Sequence, residues 1–310
     1  MAIIRGGDAE YEEKQPSLEE KSAKLAQSVD AALEQDSSTL KLNGQYLSTD
    51  EIIIISGFES IQSVRSLDLS DNQIGEPALK VLFQSPMLKD LQELYLGINF
   101  LTDAGILEIS RFPITLSNLK VLSLSDNRIT DAAGSELVKS ENFPQLDFLD
   151  LGWNEIGNGT SKALGKTKTL PNLKKLDLER GYINHEGIVE FVKGTLAGGL
   201  EEINLSSNKL DNEAAKTLAS ASCFSALKIL RLSHNLIADE GARAIGESTS
   251  LSGLTHLFFG RNYFGPEGAK HVYETKTLTN LKTLVLQEGV ETTPGLVNYS
   301  KPELLRPDGE

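Results

Sequence analysis

The side chains of this sequence that could do chemistry are few and dispersed. Its four histidines, His185, His234, His256 and His271, stand at unrelated places along the chain, so no metal cluster is implied. The one cysteine, Cys223, lies in Ser-Ala-Ser-Cys-Phe after a helical stretch and reads as a half-buried structural thiol rather than a nucleophile. A phosphate-cradling GxxxxGK[ST] loop is absent, and Gly198-Gly199 reads as a plain loop. Asp150 and Asp177 occupy equivalent places in two adjacent strands, with Glu179 two residues on. Strand spacing would set the first two about 5 Å apart. Such a carboxylate row could hold a cation, but a solvated acidic face that meets a basic partner is the simpler reading. Catalysis needs convergent polar groups in a pocket. None converge here, and no catalytic residue, metal or cofactor is expected.

What positions these residues is a repeat. The pattern Leu-x-x-Leu-x-Leu-x-x-Asn-x-Ile/Leu has its first residue at Val64, Leu91, Leu119, Leu146, Leu173, Leu200, Leu227, Leu254 and Leu281, in steps of 27 with a single 28 after Leu91. The ninth position holds Asn72, Asn99, Asn127, Asn154, Asn208, Asn235 and Asn262. Positions 3 to 7 alternate as a strand does, with apolar residues at 4 and 6 pointing inward. The pattern resembles the leucine-rich repeat of the ribonuclease-inhibitor-like class. That resemblance implies an α/β solenoid shaped as a curved horseshoe, with a parallel sheet on the concave face and helices on the convex face. It also implies that the position-9 Asn satisfies buried backbone groups from repeat to repeat, as such groups require.

Helix starts follow each unit, at Thr102-Asp-Ala-Gly105, Asn184-His-Glu-Gly187, Ala238-Asp-Glu-Gly241 and Gly265-Pro-Glu-Gly268, where acidic and Asn residues suit a helix N-terminus. The small residue closing each start would let the helix pack closely on the preceding repeat. Leu107, Leu137, Leu164, Phe191, Leu218, Ile245 and Val272 are expected to bury the helices. Three regions are expected: 1–36, a mobile N-terminus and capping helix; 37–290, the leucine-rich repeats; 291–310, a C-terminal tail or partial cap. The capping helix opens at Pro16-Ser-Leu-Glu-Glu, with Ser17 and Glu20 spaced as a capping box and Leu18, Leu25, Val29 and Leu33 on its apolar face. In the first unit Gln45 stands at the Asn position, and in the last unit Gly289 does.

The positions predicted to face solvent carry residues the fold does not require. Position 5 includes Tyr95, Asp150, Asp177, Arg231 and Phe258; position 8 includes Asp126, Trp153 and Arg180; position 10 includes Tyr182 and Tyr263. With Phe148 at position 3 and Glu179 at position 7, these form the candidate partner-binding set. The only Trp and four of the seven Tyr of the chain lie on this surface. Trp, Tyr and Arg are the residues that dominate protein interfaces. Gly181 replaces the ladder Asn beside Trp153 and Tyr182, and an Asn there is expected to be neutral or stabilising.

The 310 residues carry a formal charge of −14, from 44 acidic and 30 basic groups. That excess argues against nucleic acid and favours a protein or peptide partner with a basic or mixed-charge surface. No apolar run is long enough for membrane insertion. A lone cysteine forbids the intramolecular disulfides that cap extracellular repeat proteins, which points to a cytoplasmic or other reducing compartment. The expected function is therefore a non-enzymatic scaffold, monomeric, that binds through the concave face. Two alternatives rest on fold analogy. One is a bacterial secreted effector translocated into a host cell to act on a host protein. The other is a GTPase regulator like the Ran GTPase-activating proteins, whose long acidic C-terminal stretch Pro307-Asp-Gly-Glu310 does not match.

Overall fold

The computed structural model describes residues 17–286. Ten three-residue strands form one sheet in chain order. They are β1 Thr39–Lys41, β2 Ser66–Asp68, β3 Glu93–Tyr95, β4 Val121–Ser123, β5 Phe148–Asp150, β6 Lys175–Asp177, β7 Glu202–Asn204, β8 Ile229–Arg231, β9 His256–Phe258 and β10 Thr283–Val285. Every pairing is parallel, and equivalent residues sit side by side, as in Leu149↔Leu176↔Ile203. This register makes each position of the repeat a row across the sheet. It also absorbs the longer third unit, because Leu94 still pairs with Leu122.

A helix follows every strand up to β9. After the N-terminal α1 (Leu18–Leu33), these are α2 Thr49–Ile55, α3 Glu76–Gln84, α4 Asp103–Arg111, α5 Asp131–Leu137, α6 Asn158–Lys166, α7 His185–Phe191, α8 Asn212–Ser220, α9 Asp239–Gly246 and α10 Pro266–Tyr273. Rows 4, 6 and 11 and the inner helix faces merge into one continuous apolar core. Helices of seven to nine residues are too short to be stable alone, so packing on this core holds them. The residue that buries α4 is Ile109, equivalent to Leu137 and Leu164; Leu107, two residues earlier, is only partly buried. The buried stripe there runs Ile106–Ile109, an i, i+3 pair that leaves Leu107 on its margin.

Two hydrogen-bond ladders hold the repeats in register. In the first, Asn127 Oδ1 accepts from Leu101 N of the preceding unit at 3.1 Å, while Nδ2 donates to the carbonyls of Leu96, Leu124 and Ser125. Asn72, Asn99, Asn154, Asn208, Asn235 and Asn262 do the same in their own units. In the second, the first-turn side chain of one helix caps the start of the next. Asp131 accepts from Gly157, Gly159 and Thr160 N at 2.8–2.9 Å, Asp239 from Gly265 and Gly268 N, and Asn212 from Ala238 and Gly241 N. The small residues at the helix starts leave room for these caps: a Cβ on Gly268 would stand 2.5 Å from Asp239 Oδ1. Burial pulls the Asp131 carboxyl upward, but its amide donors outweigh that and hold it below the ordinary carboxylate value.

The N-terminal cap has the capping box expected of Ser17 and Glu20. Val29 is buried, and Leu25, Ala32 and Leu33 pack against the core. Leu18 instead is 70 % exposed and adds nothing to the cap. The expected mobile residues 1–15, Gly289 and the tail 291–310 lie outside the described residues.

Candidate functional site

The strand-to-loop turn places the candidate residues, and it does so through backbone geometry. At row 5, Asp68, Asp150, Asp177 and Asn204 each accept the N–H two residues on, as with Gly152 N to Asp150 Oδ1 at 3.0 Å. These are Asx turns that steer the strand into its loop. Row 8 then enters the left-handed region in every unit whose row 8 is described, including Ile98 (φ 53°), Trp153 (φ 58°) and Arg180 (φ 53°). The row-8 N–H groups are used: Trp153 N donates to Glu179 O of the next unit at 2.7 Å and Arg180 N to Ser206 O at 2.9 Å. Their side chains stay exposed along the rim where strands become loops. Row 10 forms the facing wall.

Rows 8 and 10 hold seven of the eleven large exposed apolar side chains among the described residues: Tyr46, Ile98, Phe100, Trp153, Tyr182, Leu236 and Tyr263. Tyr46 and Tyr263 are 77 % and 73 % exposed, and Trp153 is 44 % exposed. Cations from the following unit stack on several of these rings. Arg180 lies 4.0 Å from the Trp153 ring centre, Lys209 4.7 Å from Tyr182 and Arg128 5.5 Å from Phe100. Between the walls lies a trough. A cleft of about 560 Å³ is bounded by Trp153, Arg180, Tyr182 and Lys209, with Gly181 in its floor. A second of about 410 Å³ is bounded by Tyr46, Ile98, Phe100 and Arg128, and the two share Asp126 and Asn127.

The expected set thus falls on two adjoining surfaces. Asp126, Trp153, Arg180, Tyr182 and Tyr263 belong to the rim. Tyr95, Phe148, Asp150, Asp177, Glu179, Arg231 and Phe258 lie on the strand face, and most are only half exposed. Several strand-face side chains are already occupied. Ser123 Oγ donates to Asp150 at 2.6 Å, and Asn204 Nδ2 donates to both Asp177 (2.9 Å) and Glu179 (3.1 Å). Arg231 pairs with Glu202 at 3.0 Å and stacks 4.2 Å from the Phe258 ring centre. Tyr95 donates to Glu93 at 3.3 Å; burial and the Glu93 charge raise its phenol above the usual value. The expectation that all of row 5 faces solvent does not hold, since Ser123 and Asn204 are buried. Short row-5 side chains fold down onto their own turn instead of standing out.

Desolvation pushes the Asp177 carboxyl up to about 6, and the charges of Asp150 and Glu179 add to it. Tyr46, Asp71, Ile98, Phe100, Arg128, Glu155, Lys209, His234, Leu236 and Arg261 also belong to the rim and lie outside the candidate set. Their only sequence signal is membership of rows 8 and 10.

The histidines are held separately. His185 contacts Thr217, His256 contacts Thr255, and His234 contacts Arg261 at 3.1 Å. Burial raises the half-buried Cys223 thiol, which works against a reactive thiolate. No helix among the described residues is long and apolar enough to cross a membrane.

Ten parallel strands in chain order, alternating with helices and linked by an Asn ladder, define an α/β leucine-rich-repeat solenoid. A leucine-rich-repeat family model matches residues 60–83, 115–138, 200–219 and 226–246. No curated protein sequence matches the chain. Among solved structures, it is similar to an internalin from Listeria monocytogenes, at 21 % identity over 86 % of this chain and 89 % of that one, with a TM-score of 0.44. A TDR receptor is similar at 18 % identity over 84 % of this chain and 44 % of that chain, with a TM-score of 0.44.

Proposed function

We propose that this solenoid is a non-enzymatic module that binds a protein or peptide partner, with Trp153, Arg180 and Tyr182 at the centre of the interface. The observation that carries the reading is the concentration of exposed aromatic and aliphatic side chains in rows 8 and 10. Large exposed apolar patches mark interaction sites. Tyr46, Ile98 and Trp153 among them sit in the left-handed backbone region that disfavours large side chains, which argues that something other than folding retains them. The strand-face carboxylates Asp150, Asp177 and Glu179 would meet basic groups at the edge of the contact. A 27-residue step with a helix in each unit supports the ribonuclease-inhibitor-like class of repeat. A monomer in a reducing compartment is consistent with the single cysteine.

The test is selection of a displayed library of small protein domains and peptides on the wild-type chain, followed by screening against Trp153→Ala and Tyr182→Ala. Selected binders should lose about 2 kcal/mol on Trp153→Ala, roughly thirtyfold in Kd, while the melting temperature stays unchanged. Binders indifferent to both substitutions would place the interface elsewhere.

A further inference from the structure

The trough has a charge direction that the net charge of the chain hides. Through the fifth unit, rows 8 and 10 carry Asp71, Asp126 and Glu155 against one cation, Arg128. From the sixth to the ninth unit they carry Arg180, Lys209 and Arg261 with His234, and no acid; Glu288, at row 8 of the last unit, lies outside the described residues. In a chain of charge −14, three cations among the rim positions of these four units without a carboxylate run against the overall composition. Apolar groups recur within both halves, Ile98 and Phe100 in the acidic half and Tyr182 and Leu236 in the basic half, with Trp153 between them. The walls are two rows, the floor is the Asn ladder, and the clefts join at Asp126 and Asn127.

We propose that this trough binds one extended polypeptide segment of a partner, basic at one end, aromatic or aliphatic in the middle and acidic at the other. Its basic end lies over Asp71 and Asp126, its apolar residues stack beside Phe100, Trp153 and Tyr182, and its acidic end lies over Lys209 and Arg261. The proposal rests on the binding reading above and specifies its ligand. The dimensions suit one strand. Nine units at about 4.8 Å per step give roughly 38 Å, the length of about twelve extended residues at 3.3 Å each. Strand addition to the sheet plays no part, because row-8 N–H groups already donate to row-7 carbonyls. Recognition therefore comes from side chains: stacking on rings for affinity and charge order for direction.

Trp153 is the only Trp of the chain and reports occupancy of the trough directly. The probes are three labelled, Trp-free twelve-residue peptides of identical composition. The first has lysines, then phenylalanines, then glutamates. The second has the reverse sequence, and the third alternates its charges. Anisotropy measures binding and Trp153 emission measures location. One of the two segregated peptides should bind at least tenfold more tightly than the alternating one and shift Trp153 emission. The double reversal Asp126→Lys with Lys209→Glu should exchange the preference between the two segregated peptides. Equal binding of all three with a Trp153 response would overturn the charge-ordered ligand while leaving the rim as a binding site. Binding without a Trp153 response, or none at millimolar peptide, would overturn the extended-segment proposal. In that last case, Trp153-dependent binders from the domain library would still uphold the broader reading.

Discussion

Gly181 offers the sharpest test of how the repeats are held together. It interrupts the Asn ladder, and the sequence alone suggests that an Asn there would simply repair it. The structure adds an opposing term. The Tyr182 N–H donates to Ile156 O at 2.6 Å, whereas the equivalent bonds of other units measure 2.8–3.2 Å. The two units have closed on each other, and a Cβ on Gly181 would stand 2.6 Å from Ile156 O and 3.0 Å from Asn208 Oδ1. Gly181 is not in the left-handed region, so space rather than backbone freedom keeps glycine there. Gly181→Ala forces the carbonyl back without compensation, at about 1–3 kcal/mol, the usual range for overpacking. Gly181→Asn meets the same obstruction but supplies an acceptor to Ile156 N–H, a buried donor worth about 1–3 kcal/mol when satisfied. The expected order is therefore wild type and Gly181→Asn within about 1 kcal/mol of each other, with Gly181→Ala below both by about 1–3 kcal/mol. Urea unfolding followed by far-UV circular dichroism gives the differences, and Trp153 emission gives a local probe beside the site. Solenoids can lose two-state behaviour, so amide exchange at Tyr182 should accompany the melts. A neutral Gly181→Ala would refute the close-approach argument. An Asn variant less stable than the Ala variant would show that the ladder amide is worth nothing at this position.

Three further outcomes follow from the same geometry. Ile98→Asn should raise stability by about 1 kcal/mol, or some 2–4 °C in Tm, because a β-branched residue at φ 53° is strained and Asn is not; an unchanged or lowered Tm would contradict this. Asp131→Ala should cost about 1–2 kcal/mol at neutral pH by uncapping α6. The depressed pKa of Asp131 means that its contribution is present above about pH 4, the unfolded value, and is lost as pH falls through the folded one; a wild-type-to-variant difference that persists at pH 2 would count against it. Asp177 is the opposite case. With a folded value near 6 against about 3.9 unfolded, its ionisation removes stability as pH rises between them. Asp177→Asn should therefore stabilise at pH 8 and converge with wild type near pH 4, as paired urea titrations would show.

Much of the fold was legible along the chain. Leucines at fixed spacing, Asn at the ninth place in seven units and short acidic helix starts are local signals repeated along the chain, and stacking converts each into a row without further choice. The capping helix was equally local, since Ser17 and Glu20 satisfy one another's backbone within a single turn. Leu18 shows the limit: helical periodicity puts it on the apolar face, but whether anything covers it depends on the neighbouring repeat. The candidate site was half legible. Trp153, Arg180 and Tyr182 follow from register alone, because parallel strands bring equivalent residues together. The rest needed three dimensions. That Asp131 caps a helix 26 residues away and that Asp150 and Asp177 are engaged by Ser123 and Asn204 are contacts between repeats, and the left-handed turn at row 8 recurs in every unit from Gly44 to Arg261. A pattern read along one repeat determines which way each side chain points. Only the distance of closest approach between repeats decides which of those side chains are spent on the fold and which remain free to bind.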